Sequence, residues 1–530
     1  MRQTLRILTT LSGLALSVAL GDTALAQKQG GVLRVYHRDS PASMSIHEEG
    51  TVGVMMPMMG VFNNLVLFDQ HVPQNSLQSI VSELATDWSW SEDGKELTFK
   101  LRDGVKWHDG RPFTAADVKC TFDLLTNQGK EKFRLNYRET WWVNVASTTT
   151  NGDREATLHL KRPQPAFLMA LAQGYSPIYP CHIPPRDIRS HPIGTGPFKF
   201  VEFKPNERIR VTKNGEYWKP GRPYLDGIEY TIIRNLSTAT LAFVAGKFDM
   251  TFPFSLEVPL LRDVKNQMPQ AICELAPLGI SRSLIVNRDR PPFDNPELRQ
   301  AMALSLDRQA FINIITEGQG DIGGAMQPPP EGLWGMPPDM LKTLPGYDPG
   351  VQNNRTEARQ LMRKLGYGPA DRLKIKLSVR DLPFLRDPAV ILIDQLKEVY
   401  IDGELETIDT TNWLPKVMRK DYMVGLTGQG SGDPDLSLNV IYRCGGEQNY
   451  NGYCSPEVDK LIDRQSMEAD TQKRKQLVWE IERKLAEDGA RPIIFYDRRA
   501  TCWQPHVKGW TVMVNSIFNG WRMEDVWLDK

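Results

Sequence analysis

The chain has 530 residues, of which 41% are apolar, and its formal net charge is zero because 64 basic residues balance 64 acidic ones. This balance gives no strong electrostatic field for nucleic acid or for an anionic membrane surface, and it argues against both as partners. The length suits two or three lobes that each bury a core of their own.

The amino terminus has the pattern of a secretory signal. Arg2 and Arg6 precede a mostly apolar stretch, residues 7–20, and an A-x-A cleavage site ends at Ala26. The sequence therefore predicts a signal peptide over residues 1–26, with a buried N-terminal helix as the alternative. No later run is long enough to cross a bilayer, so we expect the mature chain to be free in the periplasm of a two-membrane bacterium.

The block from residue 84 to 123 predicts a hairpin and then a helix. Trp88 and Trp90 alternate with polar residues before a turn, and apolar residues then recur at spacing two after it. Thr114 and Asp117 have the spacing of a capping box at the start of the helix.

Three further blocks follow along the chain. Residues 191–233 contain a Gly-Thr-Gly-Pro turn and a phenylalanine-rich strand. Residues 283–308 contain a strand, a turn, and Asn295 as the cap of a helix. Residues 355–408 alternate helix, strand, helix, strand, which is typical of an α/β lobe.

Taken together, the blocks at 84–123, 191–233 and 283–308 resemble the extracytoplasmic solute-binding proteins of ABC importers for peptides, nickel and opines, family 5. Residues 423–461 resemble the dipeptide-binding branch. The resemblance implies an α/β, type II-like periplasmic binding protein with lobe I at 27–283, an extra subdomain at about 76–190, lobe II at 284–504, and a return to lobe I at 505–530. It also implies two crossing segments near 280–290 and 500–508.

The same resemblance implies a function without covalent chemistry. A peptide-like or other small organic solute would bind between the lobes and pass to the membrane permease subunits of an ABC importer. We expect no enzyme activity, no cofactor, no nucleic acid, and a monomer. A periplasmic hydrolase and a nickel-chelate or haem carrier remain the alternatives.

The cysteines permit disulfides in an oxidising compartment. Cys444 and Cys454 flank a glycine-rich loop and form the best pair, with a pair of metal ligands as the alternative. Cys120 and Cys273 are expected to be small buried apolar groups, and Cys181 and Cys502 are able to pair with each other.

The segment 423–435 is the best candidate for ligand contact. An apolar strand runs into three glycines, whose backbone is able to approach a peptide closely and pair with it as an added strand; the alternative is a flexible loop. The candidate ligand-binding residues here are Thr427, Gly428, Gln429, Gly430 and Asp433, although Asp433 and Asp435 are expected mainly to stabilise the turn.

Peptide binders of the family have an aspartate four residues before the proline of this segment, where it pairs with the α-ammonium of the peptide. Counting back from Pro434 gives Gly430, so that acid is missing here. A buried ammonium without a counter-charge costs several kcal/mol. A peptide with a free amine is therefore in doubt, and the solute is expected to be blocked, differently charged, or not a peptide.

Other candidates lie elsewhere in the chain. By resemblance, Met44, Ser45 and Ile46 lie near the cleft. Arg380 follows a predicted strand, where it would meet an anionic group, or alternatively form a surface salt bridge. Trp413 is either a stacking wall or a core anchor on helix 412–419.

His47-Glu48-Glu49 has side chains of the kind that bind a cation. Adjacent residues of an extended segment point in opposite directions, so the three side chains would not converge without a special turn.

Overall fold

The computed structural model describes residues 27–430, 432–516 and 519–530, and the predicted signal peptide, residues 1–26, lies outside them. Within these residues the protein is an α/β molecule with two lobes. The described helices include none with the length and apolar character that a membrane span requires.

Lobe I contains two four-stranded sheets. Its strands, together with the strand that leaves it, are β1 Val32–His37, β2 Val66–Phe68, β3 Ile80–Ser82, β4 Ala85–Trp90, β5 Glu96–Leu101, β6 Val145–Asn151, β7 Glu155–Leu160, β8 Phe198–Lys204, β9 Arg208–Lys213, β10 Gly227–Ile232 and β11 Ile272–Val286. Its helices are α1 Val52–Met58, α2 Ala115–Leu125, α3 Phe167–Leu171, α4 Pro185–Ile188, α5 Leu236–Val244 and α6 Val258–Gln267. The strand orders are β1-β10-β9-β8 and, in the subdomain, β4-β5-β7-β6.

The predicted hairpin and capping box are confirmed. Strand β4 pairs antiparallel with β5, so that Trp88 lies opposite Phe99 and Trp90 opposite Leu97. The backbone N–H of Thr114 donates to the Asp117 carboxylate at 2.9 Å. The alternating apolar face of β5 is buried in the core of lobe I.

Lobe II is built around a six-stranded sheet of order β12-β16-β11-β15-β13-β14. Its elements are α7 Pro296–Leu304, α8 Arg308–Thr316, β12 Gly320–Asp321, α9 Pro338–Leu341, α10 Val351–Lys364, β13 Leu373–Arg380, α11 Pro383–Lys397, β14 Ile401–Ile408, α12 Thr410–Met418, β15 Val424–Gly430, α13 Pro434–Ile441, α14 Pro456–Met467, α15 Thr471–Glu487 and β16 Ile493–Trp503. Strand β13 is parallel to both β14 and β15, which is the predicted α/β arrangement. The side chain of Asn295 accepts from the N–H of Glu297 at 2.8 Å, which confirms the predicted cap of α7.

Two long strands connect the lobes. Strands β11 and β16 pair antiparallel from Ile272–Trp503 to Ser283–Ile493, with an irregular stretch between Pro277 and Ser281. Leu278 of β11 packs in the lobe I core, whereas Leu284 of the same strand packs in the lobe II core. The chain then forms β17 Val507–Lys508 and β18 Trp527–Leu528, and Val507 and Leu528 lie in the lobe I core.

The described cysteines form three disulfides, Cys120–Cys181, Cys273–Cys502 and Cys444–Cys454. The Cys444–Cys454 prediction is confirmed. The prediction that Cys120 and Cys273 are unpaired is wrong, and Cys181 and Cys502, whose pairing the sequence left open, bond to these two cysteines and not to each other. The β11–β16 register places Cys273 directly opposite Cys502. Local sequence patterns do not predict the register of two strands so far apart in the chain.

Candidate functional site

A cavity of about 170 Å³ lies between the two lobes. Lobe I contributes the segment before α1 and the loop around Arg138 to its wall. The crossing strand β11 contributes its irregular stretch. Lobe II contributes the ends of β13 and β15 and the start of α13. Its aromatic lining consists of Trp141, Tyr175, Phe384, Trp413 and Tyr450. A mostly apolar cavity with a few convergent polar groups is typical of a small-molecule site.

Direct contacts between the lobes close this cavity. On one side, Arg380 of lobe II forms an ion pair with Asp39 of lobe I. On the other side, the Trp141 indole donates to the Leu436 carbonyl at 2.9 Å, and the Thr140 hydroxyl donates to the Glu447 carboxylate at 2.8 Å. The structure therefore shows the lobes in a closed arrangement.

The glycine-rich end of β15 forms one wall of the cavity. Strand β13 pairs with β15 only as far as Leu426, whereas β11 pairs with β15 as far as Gly430. Within the described residues, the stretch 427–430 thus has a strand neighbour on one side only. Thr427, Gly428 and Gly430 line the cavity.

A larger residue at position 428 would crowd two neighbouring side chains. A Cβ built there would lie 3.3 Å from Ile280 Cγ2 and 3.4 Å from Arg282 Nη1. Gln429 lies on the same strand, where its backbone pairs with Ser281 of β11.

Arg380 and Trp413 also line the cavity. The Arg380 side chain, at the carboxyl end of β13, donates from Nε to the Thr410 hydroxyl at 2.9 Å and pairs with Asp39. It is mostly buried between the lobes, so the alternative of a surface salt bridge is wrong. Trp413 is buried with Val417 and Tyr422, so it is a core anchor that also presents a surface to the cavity.

Met44, Ser45, Ile46 and Asp433 are predicted site residues that do not line this cavity. Met44, Ser45 and Ile46 are fully buried in lobe I, where Ser45 contacts the Tyr179 hydroxyl at 3.2 Å. Their position near the cleft is predicted from the family resemblance alone. Their burial in the lobe I core keeps their side chains away from a solute in the cavity.

Asp433 caps helix α13, accepting from the N–H of Asp435 at 3.0 Å, and forms a buried pair with Arg474. Its carboxylate is thus satisfied inside lobe II. These contacts fit the turn-stabilising role expected for Asp433, and its contact with a ligand stays a prediction.

The charged residues that line the cavity are all arginines: Arg38, Arg138, Arg282 and Arg380, with no acidic side chain among the described lining residues. Arg282 pairs with Asp497 at 2.9 Å. Arg38 follows β1, and its guanidinium lies 4.8 Å from the Phe252 ring and 4.9 Å from the Phe384 ring. Burial, and then the nearby Arg380 cation, lowers the pKa of Arg38 to about 9, so it stays charged at neutral pH.

Arg138 sits in an aromatic setting. Its guanidinium lies 3.2 Å from the centre of the Tyr175 ring and donates to the backbone carbonyl of Glu49 at 3.1 Å. Arg138 is only 6% exposed, and this burial lowers the pKa of its guanidinium. The neighbouring Glu49 is also buried, and burial raises its pKa to about 7 although Arg380 opposes the shift.

The His47-Glu48-Glu49 segment does not form a cation site. The His47 ring bonds to the Pro177 carbonyl at 2.9 Å, and burial lowers its pKa to about 3. Glu48 pairs with Arg189 at 2.7 Å. Within the part of the chain that the structure describes, there is no group of three or more histidine, cysteine or acidic residues placed to hold a metal ion.

The family described as bacterial extracellular solute-binding proteins, family 5 (middle region), matches residues 79–450, well over half of the chain. The protein belongs to solute-binding protein family 5. It is 26% identical over 461 residues to Di/tripeptide-binding protein 1 of Pseudomonas aeruginosa (strain UCBPP-PA14), with 81% of each chain covered. It is 29% identical over 287 residues to a glutathione-binding protein of Escherichia coli O157:H7, over 54% of this chain and 52% of that one.

Solved structures show the same fold. The dipeptide-binding protein from Pseudoalteromonas sp. SM9913, in complex with Met-Leu, aligns with a TM-score of 0.83 over 94% of this solute-binding protein and 100% of that chain, at 21% identity. The predicted type II-like, two-lobed fold is confirmed by this likeness.

Sequence reasoning missed several residues of this solute-binding protein's cleft. Arg38 could have been found, because it follows a predicted strand just as Arg380 does. Arg138, Trp141 and Tyr175 could not, because they lie in irregular segments whose place in the cleft depends on how the subdomain packs against lobe II.

Proposed function

We propose that the protein captures a small organic anion, peptide-like or otherwise, between its two lobes and delivers it to the permease subunits of an ABC importer. The observation that carries this proposal is the charge of the cavity wall, where every charged lining side chain that the structure describes is an arginine. Arginine offers paired donors that match a carboxylate.

The missing acid at Gly430 supports the same conclusion. Gly430 lines the cavity and offers no carboxylate to an incoming ammonium. A cationic amine brought into this setting would meet arginines and lose its hydration, at a cost of several kcal/mol. A solute with a free α-ammonium is therefore disfavoured relative to a blocked or amine-free one.

The end of β15 supplies the remaining recognition. The backbone groups of residues 427–430 that face away from β11 are placed to bond amide groups of a peptide-like solute, while the aromatic residues enclose its apolar part. Solute bound to both lobes stabilises the closed arrangement by its differential affinity for it. The permease then recognises that closed form.

In the cell we place the mature protein in the periplasm, as a monomer, after removal of residues 1–26. The family assignment favours binding over turnover, since the relatives named above are binding proteins. Among the lining residues that the structure describes, none favours the hydrolase, nickel-chelate or haem alternatives.

The test is native mass spectrometry of the protein purified from the periplasm, followed by denaturation and identification of the released solute. We expect one bound small molecule per chain that carries at least one acidic group and no free amine. Release of a zwitterionic peptide, a haem or a metal chelate would contradict the proposal, as would hydrolysis products that accumulate on incubation.

A further inference from the structure

The four arginines of the cavity are not equivalent. Arg282 and Arg380 have carboxylate partners, Asp497 and Asp39. Arg38 and Arg138 have no carboxylate within ion-pair distance among the residues that the structure describes, and each lies against aromatic rings instead. Contacts with aromatic faces stabilise such a cation by about 0.5–2 kcal/mol, which is less than the several kcal/mol that burial of a charge costs.

The two unpaired guanidinium groups occupy different parts of the wall. Arg38 lies with Arg282 around the Phe384 ring. Arg138 lies with Trp141 and Tyr175 in the lobe I loop. An anionic group on a solute would satisfy one of them, and a second anionic group would satisfy the other.

We infer that the solute is a dianion whose two acidic groups meet Arg38 and Arg138 separately. The aromatic residues of the cavity enclose the uncharged body that joins the two groups, and the end of β15 bonds its polar atoms. This inference rests on the proposed function and narrows its solute class from an anion to a diacid.

The acidic residue near Arg138 also indicates the main competing solute class, which is a zwitterion. Glu49 lies beside Arg138, whose guanidinium donates to the Glu49 backbone carbonyl, and its buried carboxylate is the acidic group that we expect an ammonium to use. A zwitterion would place a carboxylate on Arg38 and an ammonium on Glu49. Exchange of Glu49 for Gln removes that counter-charge and leaves both arginines in place, so it separates the two arrangements.

The experiment is calorimetric titration of solute-free protein with a matched series of blocked dipeptides. The probes are N-acetyl-alanyl-glutamate, which is a dianion, N-acetyl-alanyl-glutamine, which is a monoanion, and the neutral amide of the latter. Unblocked alanyl-glutamine serves as the zwitterion. We expect the dianion to bind roughly 10- to 100-fold more tightly than the monoanion, which is the usual gain from one charge-assisted contact.

Variants of the two arginines test whether the higher affinity for the dianion depends on Arg38 and Arg138. In Arg138→Gln and in Arg38→Gln, the ratio between dianion and monoanion should fall close to one. Arg138→Lys should keep part of the gain, because the charge remains while the paired geometry is lost. Arg186→Gln, at an exposed position of helix α4, is the matched control and should leave the ratio unchanged.

Equal affinity for dianion and monoanion, or a ratio that survives both Gln variants, would overturn the inference. So would a preference for the zwitterion that disappears in Glu49→Gln. Failure of the dianion to bind at millimolar concentration would also overturn it, while the proposed function would still be judged separately by the solute that co-purifies. Circular dichroism identifies any variant that does not fold, and Arg138→Lys then carries the test.

Discussion

Asp433 offers a sharp distinction between a structural and a ligand-binding role. Its carboxylate is 1% exposed and contacts the Arg474 guanidinium, itself 4% exposed, with one N–O distance of 2.9 Å. In Asp433→Asn the helix cap is retained, since asparagine caps as well as aspartate does. The buried guanidinium, however, loses its bidentate counter-charge.

Breaking a buried pair by removing one partner costs about 3–5 kcal/mol. Asp435 remains 3.8 Å from Arg474 and compensates in part, so we expect the low end of that range, about 3 kcal/mol. The free energy of unfolding is measured by urea denaturation followed by tryptophan fluorescence. Calorimetry on the folded variant should give solute affinity within about threefold of the parent, because Asp433 does not line the cleft cavity.

The control is Asp421→Asn, which removes an exposed pair with Lys416 at 3.4 Å and should cost less than about 1 kcal/mol. An unchanged urea midpoint together with loss of solute binding in Asp433→Asn would refute the reasoning, since it would show that Asp433 contacts the solute.

Three further predictions follow from the site and the disulfides. Gly430→Asp should weaken binding of the co-purified anion by at least about 10-fold, and it should make binding of unblocked dipeptides measurable by calorimetry. Unchanged affinities for both solutes would show that position 430 does not face the solute. Because the pKa of Glu49 is raised to about 7, anion binding should be accompanied by proton uptake near pH 7, and the affinity should fall as the pH rises through 7. Calorimetric titrations in buffers of different ionisation enthalpy measure this proton uptake. The Glu49→Gln variant should abolish it. Replacing Cys444 and Cys454 by serine should cost about 2–3 kcal/mol in the urea assay, and thiol titration of the parent in denaturant should find no free thiol among its six cysteines.

The sequence predicts best where local patterns decide the structure. The β4–β5 hairpin, the caps at Thr114 and Asn295, and the Cys444–Cys454 loop all depend on residues close in the chain. Arg380 was predicted from its position after a strand, and the parallel pairing of β13 places it in the cleft.

The errors arise from long-range packing. The partner of Cys273 is set by the register of β11 against β16, more than two hundred residues away. The burial of Met44 depends on how the lobe I core closes around it. The place of the loop that holds Arg138 depends on the contacts of its residues Thr140 and Trp141 with lobe II. None of these is encoded in a short stretch of sequence.

The most direct measurement is a crystal structure of the protein with its co-purified solute. The account predicts density in the cavity between the lobes, with acidic oxygens at hydrogen-bond distance from the guanidinium groups of Arg38 and Arg138 and no amine beside Gly430. A solute bound outside the cleft, or one whose ammonium contacts Glu49 while Arg138 stays without an anionic partner, would contradict it.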